Sequence, residues 1–195
     1  GQIIASGLDF LPAGGAFREK DQVIASQLGI VSVKNRLLKV VPLNSRYIPK
    51  EDDVVIGHVK DMGFNGWFIG IGYSNDAVLS LKEASNDYIQ RDADLTQYFD
   101  YGDYLVARIC GVTKSKNIDL TMKGPGLRKL TEGRILKINP AKVPRVIGKQ
   151  GSMISLIKET TGCKITVGQN GFIWISDSTG QHEALAVEVI KLIEE

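Results

Sequence analysis

The chain has 195 residues, 43% of them hydrophobic and 24% charged, with a formal net charge of +2. This is globular composition, which excludes a disordered chain, and the length suits one large domain or two to three small ones. Cys110 and Cys163, with His58 and His182, lack zinc-ligand spacing, so no metal or cofactor is expected.

Few cysteines and no basic-then-apolar leader point to a reducing, cytoplasmic setting. No apolar run is long enough to span a bilayer, so no membrane partner is expected.

Residues 1–50 form the first segment. "QVIASQLGIVSVKNRLLKVVPL" alternates short apolar pieces with Gly29, Asn35 and Pro42, which predicts short strands and turns. A segment this small buries little core alone and is expected to lean on a neighbour.

Residues 51–123 read as several short strands: "DVVIGHVKDM", "GWFIGIG", "AVLSL", "DYLVARICGVT" and "NIDLTM". Short strands with turn signals predict a small five-stranded barrel. Between Lys82 and Gly102 runs an acidic connection that carries Tyr88, Tyr98, Phe99 and Tyr101, with room for a helical turn. "KGPG" at 123–126 cannot continue a ladder and marks a boundary.

Residues 127–195 read as strand, helix, helix, strand, strand, helix. "GRILKIN" is the first strand, followed by a short helix in "PAKVPRVIG" after Pro140. "SMISLIKETT" has helical apolar spacing and ends at Gly162. "CKITV" and "FIWIS" are strands joined through Gly168–Gly171, and "GQHEALAVEVIKLIEE" is the last helix. The fold class is therefore α+β and multidomain.

Charge is unevenly placed. From Lys123 to Lys164 there are ten Lys/Arg against two Asp/Glu, and from Asn75 to Asp103 two against seven. A basic stretch suits a phosphate-backbone binder. On charge alone, a solvated surface fits equally well.

Within the basic stretch, "VPRVIGKQGSMI" breaks an apolar run with Gly148-Lys149-Gln150-Gly151. A Gly-x-x-Gly loop between two helices in this order of elements is the arrangement of a type I KH domain. Phosphates would approach bare backbone there, because a Cβ at either glycine blocks close approach. The following helix directs its N-terminal amides to the same place. Lys149 adds charge, with Arg145 and Lys142 one turn back, and Ile147 and Ile154 would floor a groove for bases. The bland alternative is a linker that needs glycine only to turn. Spacing excludes a nucleotide-phosphate loop. A second Gly-x-x-Gly, at Gly168-Gln169-Asn170-Gly171, lies between strands and reads as a hairpin turn.

The barrel segment resembles the S-one type of OB-fold, on Gly57-His58-Val59 and Gly66-Trp67-Phe68-Ile69. In that family an aromatic on the second strand stacks on bases, and Phe68 matches its position. Asn65 stands where the family often has an aromatic, and Ser80 where it often has histidine. Backbone contacts would then fall to Lys60, Arg108, Lys114 or Lys116. Trp67, Ile69 and Ile71 alternate with Phe68 and read as core. Phe68 itself fits an ordinary core or inter-domain contact as well as a stacking role.

The three segments in this order resemble the RNA-binding cap subunit of the RNA exosome. "VVPLNSRYIPKEDDVVIGHV" resembles the approach to that family's barrel, and "GQNGFIWI" its Gly-x-Asn-Gly signature. The compact length resembles archaeal members. The resemblance implies a structural role for Gly168, Asn170 and Gly171. It also implies three cap copies on a hexameric ring of ribonuclease-PH-like phosphorolytic subunits, with the first segment docked on the ring. Single-stranded RNA would be recruited and guided to the pore, with no catalysis by the cap itself.

A free-standing RNA-binding module, in translation or RNA chaperoning, is the alternative. An enzyme finds no support, since no nucleophile signature or His-centred cluster occurs. The acidic run with Asp92, Asp94, Asp100 and Asp103 reads as a solvated loop before it reads as a Mg²⁺ site.

Overall fold

A computed structural model describes residues 1–85, 89–90, 93–177 and 180–194. Two compact units emerge, Gly1–Ser45 and Arg46–Glu195. Tyr88 and Asp92 lie outside the described residues.

The first unit is all strand: β1 (Ile3–Ser6), β2 (Leu11–Pro12), β3 (Ala16–Glu19), β4 (Gln22–Ala25), β5 (Gly29–Lys34) and β6 (Leu37–Pro42). They form two three-stranded sheets, β1-β4-β3 and β2-β6-β5. The β5–β6 turn is Asn35-Arg36, both in the left-handed region. Two positive-φ residues match the twist of a tight hairpin. Val23, Leu38 and Val40 make up the buried apolar set of this unit.

The second unit begins with a barrel. Its elements are β7 (Val54–Gly63), β8 (Gly66–Gly70), β9 (Ala77–Ser80), the helical turn α1 (Leu81–Ala84), β10 (Tyr104–Val112) and β11 (Ile118–Thr121). Strands run in the order β11-β9-β8-β7-β10, and β11 pairs back onto β10 to close the ring. The β9–β11 pair is parallel, and the others are antiparallel. Trp67, Ile69 and Ile71 are fully buried inside, as their alternation with Phe68 predicts. Phe99, from the acidic connection, packs edge-on against Trp67 at 5.2 Å, and its carbonyl accepts the indole N–H at 3.1 Å.

The units divide earlier than Lys50 because Tyr47 belongs to the barrel. Tyr47 is buried in the barrel core, and its hydroxyl donates to Asp53 at 2.7 Å. Burial, and then that carboxylate, push the Tyr47 pKa above its ordinary value.

Beyond the Gly-Pro-Gly boundary, β12 (Arg128–Leu130) still pairs with barrel strand β10. The chain turns at Gly124–Gly126 without leaving the barrel. The remaining elements are β13 (Arg134–Lys137), α2 (Val143–Ile147), α3 (Ser152–Thr161), β14 (Lys164–Val167), β15 (Phe172–Ser176) and α4 (Glu183–Glu194). The sheet order is β13-β15-β14, all antiparallel. This is the βααββα order that the sequence predicts.

That small sheet is apolar on both faces. One face carries Ile173 and Ile175 against Val146, Ile157, Ala186 and Ile190 of the helices. The other carries Ile135, Phe172 and Trp174 against Ile56, Val106 and Leu130 of the barrel. Two buried faces explain why "FIWIS" reads as an unbroken apolar run. They also join barrel and KH-like module into one unit.

Candidate nucleic-acid interface

The Gly148–Gly151 loop is built by local chain chemistry. Asn139 caps a short 3₁₀ turn, its side chain accepting from Ala141 N–H at 2.9 Å. Pro144 opens α2, and the Gly148 N–H closes it by donating to the Pro144 carbonyl at 3.0 Å. Gly148 (φ 75°), Gln150 (φ 54°) and Gly151 (φ 81°) then lie at positive φ before α3 begins. Gly162 (φ 70°) ends α3, its N–H donating to the Lys158 carbonyl at 2.8 Å.

The two glycines differ in their demands. A Cβ on Gly148 would sit 2.7 Å from Met153 Cβ and 2.8 Å from its N, so α3 itself occupies that space. A Cβ on Gly151 would meet nothing closer than Ile154 Cγ2 at 4.0 Å. Gly148 is thus required for packing and dihedral, Gly151 for dihedral alone.

Around this loop, Arg145, Lys149 and Gln150 are exposed, while Lys142, Ile147, Gly151 and Ile154 are half-buried. Ile147 and Ile154 pack on the module's core with their remaining surface free. The chain thus carries Lys142 and Arg145 before this turn and Lys149 within it, with Ile147 and Ile154 half-buried on either side.

The barrel candidates are more scattered. Phe68 points outward from β8 and is 41% exposed. Lys60 sits at a bulge in β7 and pairs with Asp76 at 2.6 Å. Lys114 and Lys116 are exposed in the β10–β11 turn, and the Lys116 carbonyl accepts from the Asn75 amide at 3.2 Å. Asn75 and Asp76 thereby bring Lys116 and Lys60 to the same end of the barrel. Arg108 turns elsewhere, its guanidinium donating to the Lys123 carbonyl at 3.4 Å.

The second loop does more than turn a hairpin. Asn170 is buried, and its side-chain oxygen accepts from Ile56 N–H at 3.2 Å. Its amide nitrogen donates to the carbonyls of Ile56 at 2.7 Å and Ile71 at 2.8 Å. Gln169 adds two bonds to Val54, accepting from its N–H at 2.7 Å and donating to its carbonyl at 2.9 Å. A Cβ on Gly168 would collide with the Asn170 side chain and stand 2.8 Å from Ile56 N. The loop is a hydrogen-bonded latch from the KH-like module into the barrel. Loop spacing alone conceals this, although the asparagine between glycines is its trace.

The acidic connection is occupied with its own backbone. Asp94 caps a 3₁₀ turn through Thr96, whose hydroxyl, then N–H, lowers the Asp94 pKa. Asp103 pairs with Lys129. Burial opposes its charge, but the Lys129 ammonium and the Asp100 N–H hold its pKa below the ordinary value. Among the described residues no group of three or more His, Cys, Asp or Glu is placed to hold a metal ion. Both cysteines are free thiols. Among the described residues no helix is long and apolar enough to cross a membrane.

Comparison with known proteins agrees with this geometry. Residues 133–181 match the KH domain family. The exosome complex component Rrp4 of Methanobrevibacter smithii is 39% identical over 194 residues, covering 100% of this chain and 63% of the relative. The Rrp4 of Methanothermobacter thermautotrophicus is 40% identical, again over 100% of this chain and 61% of the relative. The chain therefore spans under two thirds of the length of these two proteins. For the Pyrococcus furiosus Rrp4 the values are 39% identity, 100% of this chain and 74% of the relative. All three organisms are archaea. A crystal structure described as that of an exosome complex RNA-binding protein superposes with a TM-score of 0.71 at 38% identity, covering 77% of this chain and 87% of that one. With near 40% identity along its whole length, and the barrel and KH-domain elements in place, the chain belongs to the family of the archaeal exosome complex component Rrp4.

Proposed function

We propose that this chain is a non-catalytic, cytoplasmic cap subunit that recruits single-stranded RNA and guides it to the pore of a phosphorolytic 3′–5′ exoribonuclease ring. The observation that carries the reading is the Gly148–Gly151 turn, with backbone exposed between two helices and Lys142, Arg145 and Lys149 around it. Phosphate held at that turn would leave bases over Ile147 and Ile154. Phe68, Lys60, Lys114, Lys116 and Arg108 would make further contacts on the barrel.

The first unit would dock on the ring, with three copies on six ribonuclease-PH-like subunits. Its surface supports that role. Three large apolar side chains are buried in this unit, whereas eleven are exposed, Leu8, Leu28 and Ile30 the most. An imbalance of that size marks a surface that another protein covers.

The test has two arms. The full chain should bind a single-stranded RNA oligomer with an affinity that falls steeply as salt rises, by a log-log slope of roughly 0.7 for each phosphate neutralised. It should also co-elute with an assembled ring of ribonuclease-PH-like subunits in size-exclusion chromatography. RNA binding without ring binding would instead favour a free-standing RNA-binding module.

A further inference from the structure

The two sheets of the first unit have four edges, and three of them are blunted. β1 is bent by a bulge between Ile3 and Ala5, and β2 is two residues long and ends in Pro12. β3 carries Arg18 and Glu19, and the Arg18 guanidinium donates to the Gly7 and Phe10 carbonyls, tying that edge to the preceding loop. Bulges, proline, charge and short length are the usual protection of an edge against pairing with another chain. β5 has none of these before Lys34. It runs six residues in regular register with β6, and Ile30, Val31 and Val33 are 64%, 45% and 57% exposed.

The free backbone groups of this edge follow from the ladder. Ala13 N–H donates to the Leu38 carbonyl at 2.8 Å, and Val40 N–H to the Gly14 carbonyl at 3.0 Å, so β6 turns Leu38 and Val40 away from β5. Alternation gives β5 the groups of Leu37, Lys39 and Val41, which stand opposite Lys34, Ser32 and Ile30. The N–H and carbonyl groups of Val31 and Val33 therefore point to the open edge. Among the described residues β5 pairs with β6 alone.

An open groove of about 640 Å³ lies beside this edge, lined by Ile3 and Ile4 of β1 and by Leu28, Gly29 and Val31. It gives room for the side chains of an added strand. At the far end of β5, Lys34, Arg36 and Lys39 are exposed, and among the described residues none of them stands in an ion pair. Arg36 holds φ 65°, where glycine is the ordinary choice, so a cation is kept there against the preference of the turn. Alternating N–H and carbonyl groups at strand spacing match another extended backbone, and neither a helix face nor a phosphate chain supplies both partners.

We infer that the edge of β5 receives an extended strand of a ring subunit, apolar at alternate positions and acidic at the end beside Lys34, which joins the sheet by backbone pairing. The inference rests on the docking reading above and states how that docking is made.

The experiment follows the full chain with and without an assembled ring of ribonuclease-PH-like subunits, by amide hydrogen exchange and by size-exclusion chromatography with Val33→Pro and Val33→Ala. The Val31 and Val33 amides should exchange readily in the free chain and slow at least about a hundredfold in the complex. The Ser32 amide, already bonded to β6, should change little. Val33→Pro removes an edge N–H and leaves the β5–β6 ladder whole, so it should weaken ring association at least about tenfold. Val33→Ala keeps the N–H and should weaken it less. Protection of the Ser32 amide in Val33→Pro reports that the hairpin is kept, and if it is lost there, the alternating protection in the parent decides. Equal ring association by Val33→Pro and the parent would overturn the inference, as would protection that does not alternate along β5. A parent chain that fails to associate with the ring would sink the docking reading with it. Self-association of the free chain that Val33→Pro abolishes would overturn the inference in favour of a second copy at the same edge.

Discussion

The two Gly-x-x-Gly loops of this chain, Gly148-Lys149-Gln150-Gly151 and Gly168-Gln169-Asn170-Gly171, share a spacing and stand in opposite surroundings. In the first, the two middle residues point into solvent. In the second, the asparagine is buried in the barrel and the glutamine bonds to β7. The difference lies in what flanks each loop. Two helix ends hold the first open, and among the described residues no strand pairs with it. The second joins adjacent strands of a sheet whose outer face already rests on the barrel, so its polar atoms meet β7 backbone. The same four-residue pattern thus makes an exposed turn, the proposed anion cradle, in one place and an inter-domain latch in the other. Glycine spacing specifies close backbone approach, and context decides what approaches.

The largest effect should come from Asn170→Asp. The substitution keeps the shape but removes both amide donors and aims a carboxylate at the Ile56 and Ile71 carbonyls. An unpaired buried charge should cost about 3–5 kcal/mol, measured by denaturant unfolding. The pH dependence carries a signature. Burial would raise the folded pKa of the new carboxyl, so the full loss appears above that value and is relieved as pH falls through it. A variant as stable as the parent at neutral pH would show that the latch contributes nothing.

Next in size is Gly148→Ala. It combines positive φ with a Cβ 2.7 Å from Met153 Cβ, and should destabilise by about 1–3 kcal/mol. Gly151→Ala has the same dihedral penalty without the clash and should cost about 1 kcal/mol. Equal losses at the two positions would mean that α3 shifts freely and that Gly148 serves only the dihedral.

Gln169→Ala is smaller again. It removes one acceptor from the Val54 N–H at an exposed position, where water replaces it in part. The expected loss is about 0.5–1.5 kcal/mol. A loss as large as that of Asn170→Asp would place the weight of the latch on the exposed rim.

These contrasts show what is legible in sequence. The βααββα order follows from periodicity, from Pro140, and from Gly162 at the end of α3, because each acts within a few residues. The five barrel strands follow from short apolar runs and turn residues. The burial of Trp67 and Ile69 follows from strict alternation. The latch does not, because Asn170 finds its partners at Ile56 and Ile71, about a hundred residues away in the chain. The place of Tyr47 is hidden likewise, since its barrel contacts come from tertiary packing. β12 is hidden because Gly-Pro-Gly marks a turn without saying whether the chain leaves the sheet. Of the candidate RNA contacts, those on the Gly148–Gly151 turn are local and come together. Arg108 and Lys60 lie on one barrel but turn to different neighbours.

The smallest effect on stability, and the largest on binding, should come from Lys149→Asp combined with Gln150→Asp. Both side chains are exposed, and neither fills a core position. Gln150 sits at φ 54°, a left-handed conformation that aspartate tolerates better than most residues. A carboxylate at position 149 lies just before the α3 N-terminus, where negative charge is favoured. The melt should therefore move by no more than about 0.5 kcal/mol equivalent. For RNA the balance reverses. One cation is removed and two anions stand where a phosphate would rest, so affinity should fall by about tenfold or more. The salt slope should flatten by roughly 0.7 for each phosphate that is no longer neutralised. Asn170→Asp makes the matching control, with a carboxylate at the same position of the other loop. It should lower the melt strongly. At temperatures where the variant remains folded, its salt slope should stay unchanged, because no phosphate rests there. If the Lys149/Gln150 double variant stays folded and binds RNA as the parent does, the first loop turns the chain and nothing more. The contrast between the two loops would then be one of packing alone.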